Sequence, residues 1–303
     1  ANAITVLVNY SRVTGDNSWN PVLSNTFSAA QGTRHDFIND YFDDDSWWAL
    51  AWIDAYDLTH QPAYLSMAET IFATEVTDGW DTTTCGGGLW WSSAKKYKNA
   101  IANELFLSIA AELANRTQGK KSLDYLDWAV REWKWFRGSG MINPQNLIND
   151  GLDSANPGAC VNNGRNPWTY NQGVILGGLV ELSRAQRNPA LLAQATDIAD
   201  SAIAHLTTSN GILNETTVSG GDAPQFKGVF VRNLMLLYAA LPDSDPHRQR
   251  YRKFVDANAG SIWMHDQKKH QRFGAVWQGP FDSADATRQA SALDALIAAA
   301  SMQ

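Results

Sequence analysis

Apolar residues recur at every third or fourth position through most of the 303-residue chain, and short polar breaks separate the runs. That is the pattern of amphipathic helices packed in layers. The spacing predicts helices over 1–13, 18–30, 45–59, 62–77, 99–117, 121–138, 171–187, 189–207, 226–241, 246–264 and 283–301. They come in pairs, each an apolar helix, a tight turn and a more polar helix. The turns carry breakers such as Thr14-Gly15-Asp16, Thr59-His60-Gln61-Pro62 and Thr117-Gln118-Gly119. Segments 174–182 and 229–241 hold almost no charge, as expected of helices buried on most sides. Paired helices of this kind predict an all-α chain, a single (α/α)6 toroid over 1–303 with alternating inner and outer helices. Closing such a ring takes an even number, so eleven predicted helices imply a twelfth, an outer helix before Ala1.

Four longer connections interrupt the hairpins, at 78–98, 139–170, 208–225 and 265–282, and connections of this length usually carry function. All four are expected on the face where one hairpin hands over to the next. The same face should hold Asp43, Asp44 and Asp45, three consecutive acids before an apolar helix. A helix N-terminus tolerates negative charge, and one aspartate could simply cap it. Capping needs one acid, however, and these three stand among Tyr41, Phe42, Trp47, Trp48 and Trp52. Two carboxyls in partly dry surroundings suit glycosidic chemistry, one ionised and one holding a proton for the departing oxygen.

Composition narrows the field. A net charge of -7 with no basic run argues against nucleic acid and anionic membranes as partners. Thirteen Trp and nine Tyr offer flat faces for sugar rings or for a helical core. No His or Cys pair has metal-ligand spacing, no dinucleotide or nucleophile-elbow motif occurs, and neither a metal nor a cofactor is expected. Cys85 and Cys160 fall in predicted loops and are candidates for a disulfide. Sequons at Asn9, Asn115 and Asn214, with no apolar run of membrane length and no leader pattern, suggest a mature secreted or trimmed chain.

The loops add candidates. Cys85-Gly86-Gly87-Gly88-Leu89-Trp90-Trp91 combines close backbone approach with a possible Trp platform. Asn103 and Glu104 enter one inner helix, and Tyr170, Asn171 and Gln172 another. Asp150 and Asp153 lie in the connection between, and each of these polar residues also reads as a turn or cap. Lys227, Phe230 and Arg232 open a further inner helix, where a cation near the acids would help keep one ionised.

Together, Tyr41-Phe42-Asp43-Asp44 with Trp47-Trp48-Ala49-Leu50-Ala51, the Cys85–Trp91 string, Lys98-Asn99-Ala100 with Asn103-Glu104-Leu105, Trp168-Thr169-Tyr170-Asn171-Gln172-Gly173 and Phe226-Lys227-Gly228 closely resemble glycoside hydrolase family 76. That family comprises endo-α-1,6-mannanases, including the fungal cell-wall Dfg5/Dcw1-type proteins. The resemblance implies an (α/α)6 toroid and a retaining attack on α-1,6-linked mannan, with Asp43 as nucleophile and Asp44 as acid/base. It implies sugar contacts among Tyr41, Trp47, Trp48, Trp90, Trp91, Asn103, Asp150, Asp153, Tyr170, Asn171, Gln172, Phe230 and Arg232. It also implies a monomer that is secreted or associated with the cell surface. A retaining pair stands about 5 to 5.5 Å apart. Because successive helical residues point roughly 100° apart, a non-helical turn is expected at Asp43. A transglycosylase on the same linkage or a non-catalytic mannan-binding protein are the alternative readings.

Overall fold

The computed structural model describes residues 1–33, 35–153 and 155–303. Among them are eleven α-helices: α1 (Asn2–Thr14), α2 (Asn20–Thr33), α3 (Phe42–Thr59), α4 (Pro62–Thr74), α5 (Ala100–Arg116), α6 (Gly119–Gly138), α7 (Thr169–Gln186), α8 (Ala190–His205), α9 (Phe226–Ala240), α10 (Pro246–His265) and α11 (Ala286–Ser301). A two-residue antiparallel hairpin, Gln267–Lys268 with Arg272–Phe273, follows α10. The starts are marked chemically. Pro62 and Pro246 occupy first turns, and the side chains of Asn99, Asp245 and Asp285 accept the free N–H groups of α5, α10 and α11.

The odd-numbered helices touch in the order α1, α3, α5, α7, α9, α11 and back to α1, which closes an inner ring of six. The even-numbered helices pack outside it. Five outer helices are present among the described residues, and the expected twelfth is not among them. At its place, the seam of α11 and α1, Val6 packs with Ala290 and Ile297. Burial follows this layering. Every residue of α5 from Ala100 to Ala111 is buried, whereas α6 buries only Ala129, Glu132, Trp133 and Phe136.

Ring closure needs short distances between inner helices, and glycines supply them at two seams. A Cβ on Gly173 of α7 would lie 2.6 Å from Phe230 Cα, and one on Gly228 of α9 would lie 2.5 Å from Ser291 Cα. The neighbour is backbone in both cases, so it cannot swing away. At the C-terminal ends of the ring, arginines of α1, α5 and α7 face acids. Arg116 Nε and Nη2 donate to Asp57, its Nη1 to Glu181, Arg12 donates to Asp54, and Arg184 to Glu181. Cations there complement the negative ends of the helix dipoles.

Replacing Gly228 by Ala should force α9 from α11 and lower the unfolding free energy by about 2–3 kcal/mol. At Gly260 of α10, by contrast, an added Cβ would meet only the Met264 methyl, at 3.9 Å. Gly260→Ala should therefore be neutral or stabilise by up to about 1 kcal/mol. Urea unfolding of both variants checks the contrast.

Candidate active site

The six inner helices run parallel, and the N-terminal ends of five of them meet at one cleft of about 1030 Å³. Asn2 comes from α1, Asp43 and Asp44 from α3, Asn99 caps α5, Tyr170 opens α7, and Phe226 and Val229 open α9. The loops complete the wall with Trp91, Lys96, Tyr97, Asp150, Arg165 and Asp222. Three of the four long connections therefore reach the cleft. The fourth, 265–282, does not. Its Trp277 is buried and its Ala275 carbonyl accepts from Lys227 Nζ at 2.6 Å, so it serves packing.

Helix α3 begins at Phe42, three residues earlier than periodicity suggested, with Tyr41 as its N-cap residue. Asp43, Asp44 and Asp45 thus all lie in the first helical turn, and the expected non-helical turn at Asp43 is absent. The requirement behind it is met another way. The axis of α3 points its N-terminus into the cleft, so side chains that diverge around that end still border the same space. None of the three acids is the cap. The start of α3 is fixed instead by the first long loop: Phe42 N–H donates to the Trp91 carbonyl at 3.0 Å, and Ser93 N–H to the Asp40 carbonyl at 2.9 Å.

Asp43 is half-buried and accepts from Trp91 Nε1 at 3.0 Å and from the Asp44 N–H at 3.1 Å. Burial, and then the charge of Asp44, push it up to about 7 against those two donors. Asp44 is exposed and accepts from the Asn39 side-chain amide at 3.0 Å. Asp45 is buried, accepts the Asn39 backbone N–H at 2.8 Å, and is likewise pushed up to about 7, chiefly by burial. It faces away from the cleft.

Of the expected sugar-contacting residues, Tyr41, Trp47, Trp48, Trp91, Asp150 and Tyr170 line the cleft. Tyr41 and Trp91 rings stand 5.0 Å apart, and Tyr170 stacks on Phe226 at 3.8 Å. Asp150 accepts from Tyr97 Oη at 2.5 Å and Trp168 Nε1 at 3.1 Å, so it anchors aromatics as well as facing the cleft. The other expected residues lie elsewhere, because a helix shows the cleft about one residue per turn and turns the rest to its neighbours.

Trp90 is buried beneath Lys98 Nζ, 4.7 Å above its ring. Asn103 is buried and exchanges hydrogen bonds with the backbone of Leu89 at 2.6 and 3.0 Å. Gln172 does the same for Ile148, at 2.8 Å each way. These two amides pin the long loops instead of touching solvent. Asp153 caps its own turn through the Ala155 N–H at 2.9 Å. Asn171 and Phe230 are fully buried. Arg232 pairs with Asp294 at 3.2 Å and with Asn2 at 2.7 Å, below the cleft. Neither Arg232 nor Lys227 appears among the charges acting on Asp43.

The Gly-rich loop owes its shape to Lys98, whose Nζ donates to the carbonyls of Asp81, Thr84 and Gly87 and to the Asp81 carboxylate, at 2.6 to 3.1 Å. Cys85 and Cys160 are bonded, with Cα atoms 5.3 Å apart, and tie this loop to the 139–170 connection. Cleft residues not among the expected sugar contacts include Asn39, Tyr97, Asn99, Arg165, Gln225 and Phe226. Asn39 was legible in principle. Its Oδ1 accepts the Tyr41 N–H at 2.6 Å, the Asx turn that an Asn two residues before a helix N-cap commonly makes.

An all-α toroid whose inner helices aim an acid pair and several aromatics into one groove is the architecture of a carbohydrate-active enzyme class. The family model of Glycosyl hydrolase family 76 matches residues 1–303, and the chain belongs to that family. It is similar to the mannan endo-1,6-alpha-mannosidase DCW1 of Candida albicans, 30% identical over 67% of this chain and 48% of that protein. The DCW1 protein of Eremothecium gossypii is 30% identical over 72% of this chain and 50% of its own length. The chain thus spans about half the length of these curated relatives. Among solved structures, the GH76A alpha-1,6-mannanase from Salegentibacter sp. HEL1_6 superposes with a TM-score of 0.89 at 26% identity, over 100% of this chain and 89% of that one. An inactive variant of that enzyme, with two consecutive aspartates replaced by asparagine, is known in complex with α-1,6-mannotriose; it matches with a TM-score of 0.87 at 25% identity, over 100% of this chain and 89% of that one.

The site carries an unusual stock of buried acids. Asp43 and Asp45 sit at about 7, and burial raises Glu75 and Glu104 well above the carboxylate range. A carboxyl whose folded value is raised binds its proton more tightly in the folded state. Its stabilising effect is complete below the unfolded value near 4 and is lost as pH rises through the folded value. Thermal stability should therefore fall from pH 5 to pH 8, and calorimetric scans across that window check the sign.

Proposed function

We propose that the chain is a retaining, endo-acting glycoside hydrolase of α-1,6-linked mannan and manno-oligosaccharides, with Asp43 and Asp44 as its catalytic pair. The observation that carries the reading is that these two adjacent carboxyls, alone among the three consecutive aspartates, line a cleft bordered by Tyr41, Trp48, Trp91 and Tyr170. Family membership and the relatives' activity support it, as does the paired-aspartate variant of the bacterial mannanase, inactive and bound to mannotriose. Cell-surface or secreted placement accords with the fungal relatives. No helix among the described residues is long and apolar enough to cross a membrane.

The donors support a division of roles. Asp43 is held by two N–H groups, which stabilise its carboxylate against burial and the charge of Asp44, and is assigned as nucleophile. Asp44 has one amide donor and is exposed in the open cleft. In the bound complex the pair's single proton is carried on Asp44, facing the glycosidic oxygen, and Asp43 reacts as the carboxylate. Attack of the Asp43 carboxylate oxygen on the anomeric carbon breaks the bond to the glycosidic oxygen, which takes the Asp44 proton. In the second step Asp44 removes a proton from water as the water oxygen displaces Asp43, giving back the α-configuration. The exposure of Asp44 leaves water a path to this second step, which favours hydrolysis over glycosyl transfer.

Digestion of linear α-1,6-mannan should give a ladder of short products whose first-formed reducing ends are α by proton NMR. Asp43→Asn and Asp44→Asn should each lower kcat by roughly 10²–10⁴-fold with thermal stability kept or raised. Full activity in both variants would remove the assignment. Activity should also decline as pH rises through about 7, where the pair gives up its proton.

A further inference from the structure

Behind the catalytic pair lies a second acid system that the reaction above leaves unused. Asp45 and Glu75 are 1% and 0% exposed. Glu75 opens a π-helical turn, Glu75–Gly79, at the end of α4, a local widening of the helix that swings its carboxyl toward the start of α3. There Ser46 Oγ donates to Glu75 Oε1 at 2.5 Å. The remaining oxygens, Glu75 Oε2 and Asp45 Oδ2, are both buried and have no donor among the described residues. Among the described residues, the charges that act on Asp45 are those of Asp44, Asp43 and Asp40, and those on Glu75 are Asp45 and Asp43. Two buried carboxylates that act on each other's charge are costly to keep ionised together, whereas holding one as the carboxylic acid removes a charge and supplies a donor to a region with two orphan oxygens.

From Asp45 the chain of contacts runs outward. Asp45 Oδ1 fixes the Asn39 backbone N–H, Asn39 Oδ1 accepts the Tyr41 N–H, and Asn39 Nδ2 donates to Asp44 Oδ2. Asn39 is therefore clamped at three points, and its amide direction is set from the core. We propose that Glu75, as a neutral carboxylic acid donating to Asp45, and Asp45 through Asn39, form a relay that positions the Asp44 carboxyl. Glu75 and Asp45, both buried, and Asn39, whose amide holds Asp44 at the edge of the cleft, act as positioning residues, and the inference rests on the reading of Asp44 as acid/base.

A Gln at position 75 keeps both functions of the neutral acid, since its Oε1 accepts from Ser46 and its amide donates to Asp45. A Leu keeps neither. Turnover of α-1,6-mannotetraose is measured for the wild type, Glu75→Gln, Glu75→Leu, Asn39→Ala and Asp44→Asn. Glu75→Gln should stay within about threefold of wild-type kcat, while Glu75→Leu and Asn39→Ala lose about tenfold in kcat, with little change in KM. An infrared difference spectrum of wild type against Glu75→Gln at pH 7 should show one protonated carboxyl band, a readout independent of whether the Leu variant folds. The relay is overturned if Glu75→Gln falls as far as Glu75→Leu, if Asn39→Ala keeps wild-type kcat, or if that band is missing. An active Asp44→Asn would instead sink the catalytic reading and leave the protonation of Glu75 standing on the spectrum alone.

Discussion

Closing six parallel helices into one ring is the constraint on which the rest of this molecule depends. Parallel packing sends every positive helix end to one face and every negative end to the other. The polar residues sort accordingly: Asp43 and Asp44 stand at the N-terminal mouth, while Arg12, Arg116 and Arg184 occupy the last turns of α1, α5 and α7. The ring also dictates its own composition. Inner helices are flanked on both sides and covered outside, so α5 and α7 are buried over most of their length, and glycines sit where α7 meets α9 and α9 meets α11.

At the mouth the dipoles favour anions, yet Asp43 is pushed up, not down. Burial and a like charge one residue away outweigh the helix end and two N–H donors. This balance matters to the chemistry. A pair held fully ionised would lack a proton for the leaving oxygen, and a pair buried as deeply as Asp45 would be out of reach of any sugar.

Much of this architecture was legible in the chain. The eleven predicted helices each have a counterpart, because hydrophobic periodicity records which face of a helix is covered. The starts are less well recorded. The first turn of α3 bears three acids and no apolar period, so the pattern begins only after it, although hydrogen bonds from the Trp91 loop start the helix at Phe42. The site was legible as a neighbourhood and much less as a set of contacts. Trp90 and Trp91 are adjacent and chemically identical, but one lies under Lys98 and the other donates to Asp43. Asn103, Asn171 and Gln172 look like sugar ligands by type. Asn103 and Gln172 are fasteners for loops 78–98 and 139–170, a use that depends on partners 14 and 24 residues distant.

The same logic sorts the four carboxyls around the start of α3 by depth. Asp44 is exposed in the cleft, open to water. Asp43, half-covered, is pushed up to about 7 by burial and by Asp44, so on the proposed reading it can share the pair's proton. Asp45 and Glu75, sealed from solvent, have no such freedom and can contribute only direction. On the proposed reading, three consecutive aspartates divide their work by the angle each takes around one helical turn: two line the cleft where a sugar would lie, and Asp45, turned into the core, holds Asn39 and through it Asp44.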